Sequence, residues 1–242
     1  LLHDRGNNMI NLSFQEWETK ASELKFRNQA FINGKFVNSV SGKTLSSINP
    51  ATGEELTQVS DCDYEDIDLA VIAARRAFEK GHWSRMPPAN RKAVLLKLSE
   101  LIRENLVEFA LLDSLDMGKL VTDAATVDVP GSAMFFQWHA EAIDKMYDEI
   151  APTGVGDLAM ISREPLGVVG AGVPWSFPLD MATWKAAAAL AAGNSIVLKP
   201  AEQSSLSTLR LAELVMEAGI PEGVFNVVPG YGETAGKALG LH

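Results

Sequence analysis

The hydrophobic rhythm of the chain changes several times, and each change predicts a different kind of element. Over residues 28–60 apolar positions come in short runs cut by turn residues. Ala30-Phe31-Ile32 and Lys35-Phe36-Val37 flank Asn33-Gly34, a pair that suits a two-residue hairpin turn because both positions take positive φ. Asn49-Pro50-Ala51-Thr52-Gly53 predicts a second turn. Over residues 63–149 the period becomes helical. Asp63 is placed to cap a helix whose apolar positions are Ile67, Ala70, Val71, Ala74 and Phe78. Val94, Leu95, Leu98, Leu101 and Ile102 predict a second helix, and Leu106 to Met117, stopped by Gly118, a third. A fourth is expected from about Pro130 to Tyr147, with Pro130 in its first turn. Phe135, Phe136 and Trp138 on it are expected in the core rather than in a binding box, because aromatic side chains mostly bury.

Residues 150–165 read as two short extended pieces around Gly154 and Gly156, a ribbon rather than a core element. From residue 166 the runs become short and continuously apolar, as in buried parallel strands. Gly167 to Val173, Ser195 to Lys199 and Val224 to Val228 are three such strands. Helices are expected between them, from Leu179 to Ala192 and from Ser204 to Ala218, with another starting near Glu233. This βαβαβα order predicts an α/β fold: a partial doubly wound, Rossmann-like parallel sheet preceded by a helical region. Three strands alone leave an edge and part of a face uncovered, so the sheet is expected to be incomplete.

Composition narrows the function classes. The 242 residues suit one large domain or two small ones at ~150 residues per domain. With 47% hydrophobic and 21% charged residues the chain is neither disordered nor fibrous. Its 21 Lys+Arg against 31 Asp+Glu give a net charge of −10, and an acidic surface repels phosphate backbones, so no nucleic-acid partner is expected. One cysteine allows neither an internal disulfide nor a cysteine-rich metal site. No run of ~18 apolar residues occurs, so no membrane span is expected. Leu1 to Arg5 lack the pattern of a signal peptide, and Met9 is the first candidate start, so residues 1–8 are expected to be upstream read-through or the mark of a cut. A cytoplasmic protein is the expectation that remains.

Ligands of open α/β sheets bind beyond the carboxyl ends of the strands, so three loops matter. Val173-Pro174-Trp175-Ser176-Phe177-Pro178 is stiffened by two prolines and suits placing a ligand, although a plain strand-to-helix connection fits the spacing equally. Lys199-Pro200-Ala201-Glu202 sets a carboxylate just past the second strand. There it can accept hydrogen bonds from both hydroxyls of a ribose and repel a 2′-phosphate, favouring NAD over NADP; a surface ion pair is the alternative. Gly230-Tyr231-Gly232-Glu233-Thr234-Ala235-Gly236 matches G-x-G-x-x-A at the start of a helix, but after the third strand rather than the first, and a tightly packed turn explains it as well. Cys62 lies between Asp61 and Asp63, whose charges suppress a thiolate, so it is not expected to be a nucleophile. His3, His82, His139 and His242 have no metal-ligand spacing.

These stretches, together with Glu164-Pro165-Leu166-Gly167, Trp184-Lys185, Ala189 to Asn194 and Gly219 to Val228, resemble the N-terminal half of NAD(P)-dependent aldehyde dehydrogenases over about residues 28–242. Within that family the nearest likeness is to dehydrogenases of γ-glutamylamino-butyraldehyde and related amino-aldehydes. The resemblance implies an NAD cofactor, an aldehyde substrate if the enzyme is completed, and a homo-oligomer. It implies that residues 28–149 and 166–242 form an incomplete NAD-binding domain after an N-terminal extension, 1–27, and that 150–165 form an oligomerisation ribbon. Family chemistry runs through attack of a Cys thiolate on the aldehyde, hydride transfer from the hemithioacetal to the nicotinamide, and release of the acid by a Glu-activated water. By position, Lys199 and Glu202 would hold the adenosine ribose, Val173 and Trp175 would line the cofactor cleft, and Gly232 and Gly236 would lie near its adenosine and pyrophosphate end. Ser176 stands where the family usually has Asn, whose amide donates to the developing oxyanion. The family's nucleophilic Cys and general-base Glu fall beyond residue 242, so the expectation is a truncated chain without the catalytic domain, inactive alone. Two alternatives are a non-catalytic nucleotide-binding or partner-binding protein and a poorly folding remnant.

Overall fold

The computed structural model describes residues 11–242. Residues 1–10, on which the expectation about the start of the chain falls, lie outside the described residues. Within the expected N-terminal extension, Phe14–Ser22 form helix α1, opened by a capping box in which Ser13 and Glu16 satisfy each other's backbone amides. The Ser13-Phe14-Gln15-Glu16 spacing is the sequence signature of such a box.

The Asn33-Gly34 hairpin forms as expected between β1 (Ala30–Ile32) and β2 (Lys35–Val37), with φ of 54° and 78° at the turn. β3 (Thr44–Ile48) and β4 (Glu55–Ser60) make a second antiparallel pair around the Asn49–Gly53 turn. Asp63 caps α2 (Tyr64–Lys80). Next come α3 (Pro88–Glu104) and α4 (Leu106–Met117), the latter closed by Gly118 at φ 81°. The following helix starts earlier than expected. α5 (Val121–Asp123), a wide π turn (Ala124–Asp128) and α6 (Val129–Ala142) succeed one another directly. The wide turn precedes Pro130, whose ring would otherwise strike the carbonyl four residues back. The ribbon is the antiparallel pair β5 (Glu149–Ala151) and β6 (Ala159–Ile161).

β7 (Val168–Gly172), β8 (Ser195–Lys199) and β9 (Phe225–Val227) run parallel, with α7 (Pro178–Ala191) and α8 (Leu206–Ala218) as crossovers. A π turn (Gly232–Gly236) and α9 (Lys237–Leu241) follow. The sheet has five strands, not three, in the order β2-β1-β9-β8-β7. β7 stands at one edge, while on the β9 side the hairpin joins antiparallel, with Phe31 opposite Val227. Asn226, buried in β9, fastens it: its Oδ1 accepts from the Asn33 amide at 3.0 Å while its Nδ2 donates to the Gly223 and Ile196 carbonyls. A polar residue inside an apolar strand is tolerable only when so satisfied.

Every residue of β8 is buried. Ile196 and Leu198 pack with the large cluster of α3, α4, α6, α7 and α8, whereas Val197 packs with Ile67, Ala70 and Ala74 of α2. Helices therefore cover both faces of the sheet, as parallel strands require. The expected burial of the aromatic trio holds in part. Phe136 is buried, but Trp138 is 63% exposed and Phe135, partly buried, stacks on Trp184.

Acidic groups cross-link this core. Asp116 accepts from the Ser47 hydroxyl at 2.6 Å and from the Leu206 amide at 2.9 Å, so a side chain of α4 caps α8 and ties it to β3. Asp113 is fully buried near Ser207, Asp128 and Asp116. Burial, reinforced by the neighbouring carboxylates, raises its pKa to about 7, and burial raises that of Asp116 to about 6. A carboxyl whose folded pKa lies above its unfolded value of 3.8 holds its proton more tightly when folded, so its contribution to stability falls as pH rises from about 4 to about 7. Thermal unfolding should therefore occur several degrees higher near pH 5 than at about pH 8. Asp113→Asn should narrow that gap, and an unchanged gap would contradict the assignment.

Candidate functional site

The cleft at the carboxyl ends of the strands is built by the loops after β7, β8 and β9. β8 ends in Lys199, which is 5% exposed, and its Nζ donates to Glu202 Oε2 at 2.9 Å. The surface ion pair weighed as the alternative is, in the structure, a pair with one buried partner. Burial alone would raise the Glu202 carboxyl; the hydrogen bond from Lys199, helped by backbone amides including that of Gly232, outweighs it and holds the pKa below the ordinary value. Glu202 is an anion at neutral pH, half-buried and aimed at the loop after β9.

Around it opens a cavity of about 560 Å³ whose lining includes Trp175, Glu202, Gln203, Tyr231 and Asp116. Trp175 forms part of its wall. Val173 does not: it is buried, and its amide donates to the Lys199 carbonyl at 3.1 Å, so it joins the first loop to the second beneath the cleft. Gly232 and Gly236 bound the π turn. A Cβ on Gly232 would meet nothing within 4 Å, and one on Gly236 would lie 3.9 Å from the Lys199 side chain. The amides of Thr234 and Gly236 both turn inward to the Tyr231 carbonyl. The glycine that sterics demand is Gly230, at φ 148°, where a Cβ would stand 2.5 Å from the Cys62 carbonyl oxygen.

Ser176 sits half-buried in the first loop, and among the described residues no hydrogen bond engages its hydroxyl. Two lysines fix its surroundings. Lys185 Nζ donates to the Gly172 carbonyl at 2.6 Å, pinning the end of β7. Lys119 Nζ lies 3.5 Å from the centroid of the Phe177 ring while paired with Asp128. Lys119 and Phe177 are far apart in sequence, so nothing in local spacing signals their contact. Gln203 and Tyr231, in the loops after β8 and β9, are further wall residues.

Cys62 lies behind the loop after β9, its amide donating to the Pro229 carbonyl at 3.1 Å. It is buried, and burial first, then the charges of Asp66, Asp61 and Asp63, pushes its thiol far up. Among the described residues no three His, Cys, Asp or Glu groups could hold a metal ion, and no helix is long and apolar enough to cross a membrane.

Comparison with known proteins bears on this cleft. The profile of the Aldehyde dehydrogenase family matches residues 36–242. An aminoacetaldehyde dehydrogenase of Pseudomonas aeruginosa is 53% identical over 231 residues, 96% of this chain and 47% of the relative. The NADP/NAD-dependent aldehyde dehydrogenase PuuC of Escherichia coli is 49% identical over 93% of this chain and 46% of its own length. Among solved structures, the P. syringae indole-3-acetaldehyde dehydrogenase AldA, in complex with NAD+ and IAA, superposes with a TM-score of 0.94 at 51% identity, covering 96% of this chain and 47% of that one. The chain spans about half the length of the relatives it matches.

A buried, protonated thiol should resist chemistry in the folded state. Iodoacetamide at mildly alkaline pH should leave Cys62 unmodified in the native chain and alkylate it once guanidinium unfolds the chain, as read by mass spectrometry. Rapid native alkylation would contradict the burial described here.

Proposed function

Because the chain belongs to the aldehyde dehydrogenase family, we propose that it forms the cofactor-binding part of an enzyme that oxidises an aldehyde to a carboxylic acid with NAD. The observation that carries this is the Lys199–Glu202 pair at the end of the central strand, facing a cleft walled by Trp175 and Tyr231. An ionised Glu202 suits acceptance of hydrogen bonds from a ribose diol and repels a 2′-phosphate. Lys199 beside it holds the carboxylate in place and offers a cation to that end of the ligand. The open backbone at Gly232 leaves room for a ligand to approach the turn after β9. Bound there, NAD would supply the hydride acceptor.

Ser176, at the mouth of the first loop, is the candidate oxyanion donor. Its hydroxyl is shorter in reach than the amide the family usually carries, so charge stabilisation should be weaker. Cys62 is buried and its thiol is held protonated by burial and by Asp66, Asp61 and Asp63, so the nucleophilic Cys and the general base are not assigned to the described residues. The ribbon, with exposed Ile150, Met160 and Ile161, is assigned to oligomerisation. The likeness to an aminoacetaldehyde dehydrogenase and to PuuC supports amino-aldehydes as the substrate class.

Two measurements test this. Calorimetry should show the chain binding NAD more tightly than NADP, with Glu202→Gln weakening NAD by about tenfold, the loss expected for charged hydrogen bonds, and narrowing the preference; equal binding before and after would contradict the role. In an enzyme completed by joining this chain to the carboxyl-terminal half of the P. aeruginosa relative, Ser176→Asn should raise kcat by about tenfold or more, out of the roughly 3–4 kcal/mol that such a donor supplies. An unchanged or lower kcat would count against Ser176 as the oxyanion donor.

A further inference from the structure

Helices α6 and α7 pack along a seam that starts beside Ser176. Phe177 is the residue before α7, and Asp180 and Trp184 follow at helical spacing on the same side. Opposite them on α6 lie Gly131 and Phe135, again four residues apart. At the first rung Asp180 Oδ1 stands 2.9 Å from where a Gly131 Cβ would be, so glycine makes the space that the carboxylate occupies. At the second rung Phe135 and Trp184 stack, with ring centroids 5.6 Å apart and planes inclined by 9°. Most of α7 is buried, yet Phe177 is 44% and Trp184 52% exposed.

Asp180 is only half-buried, and among the described residues no donor reaches its carboxylate. The nearest cation, Lys119, is committed to Asp128 and to the face of Phe177. Burial first, then the negative charge of Asp128, raises the Asp180 pKa to about 6, against the opposing charge of Lys119. The seam thus holds one negative charge more than its own cations match, set between two aromatic surfaces. A carboxylate beside aromatic faces is the arrangement that receives an ammonium group.

Resting on the reading of Ser176 as the group that meets the aldehyde oxygen, we propose that Asp180 is a specificity-determining residue that binds the terminal ammonium of a short ω-amino aldehyde, whose carbon chain lies along the α6–α7 seam. The spacing fits: Asp180 stands four residues beyond Ser176, a separation on the order of one helical turn, roughly 5 Å. That is the reach of a short carbon chain between a carbonyl and a terminal amine. Trp184 and Phe135 close the far end with apolar surface.

The test uses the completed enzyme described above, with 3-aminopropanal and the uncharged butanal as substrates and NADH formation as readout. The Asp180→Asn variant should lose about tenfold or more in kcat/KM for 3-aminopropanal, the loss of one charge-assisted hydrogen bond. The rate with butanal should stay within about twofold, which also reports that the variant folds. Asp180→Glu should keep most of the preference. Equal losses with both substrates, or no loss with either, would overturn the assignment of Asp180 while leaving aldehyde oxidation intact. An unmutated completed enzyme that oxidises neither aldehyde would overturn the oxidation reading itself, and the proposal with it.

Discussion

A parallel strand with apolar side chains on both faces cannot stand in water, and β8 places that constraint on everything around it. Ile196 and Leu198 need cover on one side and Val197 on the other. The crossover helices α7 and α8 supply the first and α2 the second. Right-handed crossovers then bring every strand-to-helix loop to the same end of the sheet, so the cleft follows from the burial of the strands. Lys199 is both the last residue of β8 and the base of that cleft.

Electrostatics at the cleft follow from the same burial. A lysine ammonium as enclosed as that of Lys199 costs free energy unless it is paired, and Glu202, three residues on, is the partner within reach. That partner is held ionised and partly exposed, where a ligand can use its remaining lone pairs. Behind the first loop a second set of charges is balanced differently. Lys119 is shared between Asp128 and the ring of Phe177, which leaves Asp180 without a cation of its own.

Much of this could be read in the sequence. The hairpin at Asn33-Gly34, the cap at Asp63, the stop at Gly118 and the three parallel strands are local patterns, and local patterns survive folding. Lys199, Glu202 and Trp175 were legible because the position of a loop relative to its strand sets its place in the cleft. What escaped depends on distant partners. The docking of β1 against β9 rests on Asn226 meeting a turn nearly two hundred residues away in sequence. The capping of α8 by Asp116 and the grip of Lys119 on Phe177 are likewise long-range. Helical spacing places Trp138 near Phe136, yet only packing decides that one is exposed and the other buried. The early start of the helix rod was hidden because Pro130 looks like a first-turn proline, and only a π turn lets it sit further in.

The central claim is that the ends of β7, β8 and β9 form a dinucleotide cradle organised by Glu202. Amide hydrogen exchange of the 242-residue chain, with and without NAD, tests it most directly. The account predicts slowed exchange concentrated in residues 173–177, 199–204 and 230–236. Exchange unchanged in those loops at saturating NAD, or protection confined to other parts of the surface, would contradict it.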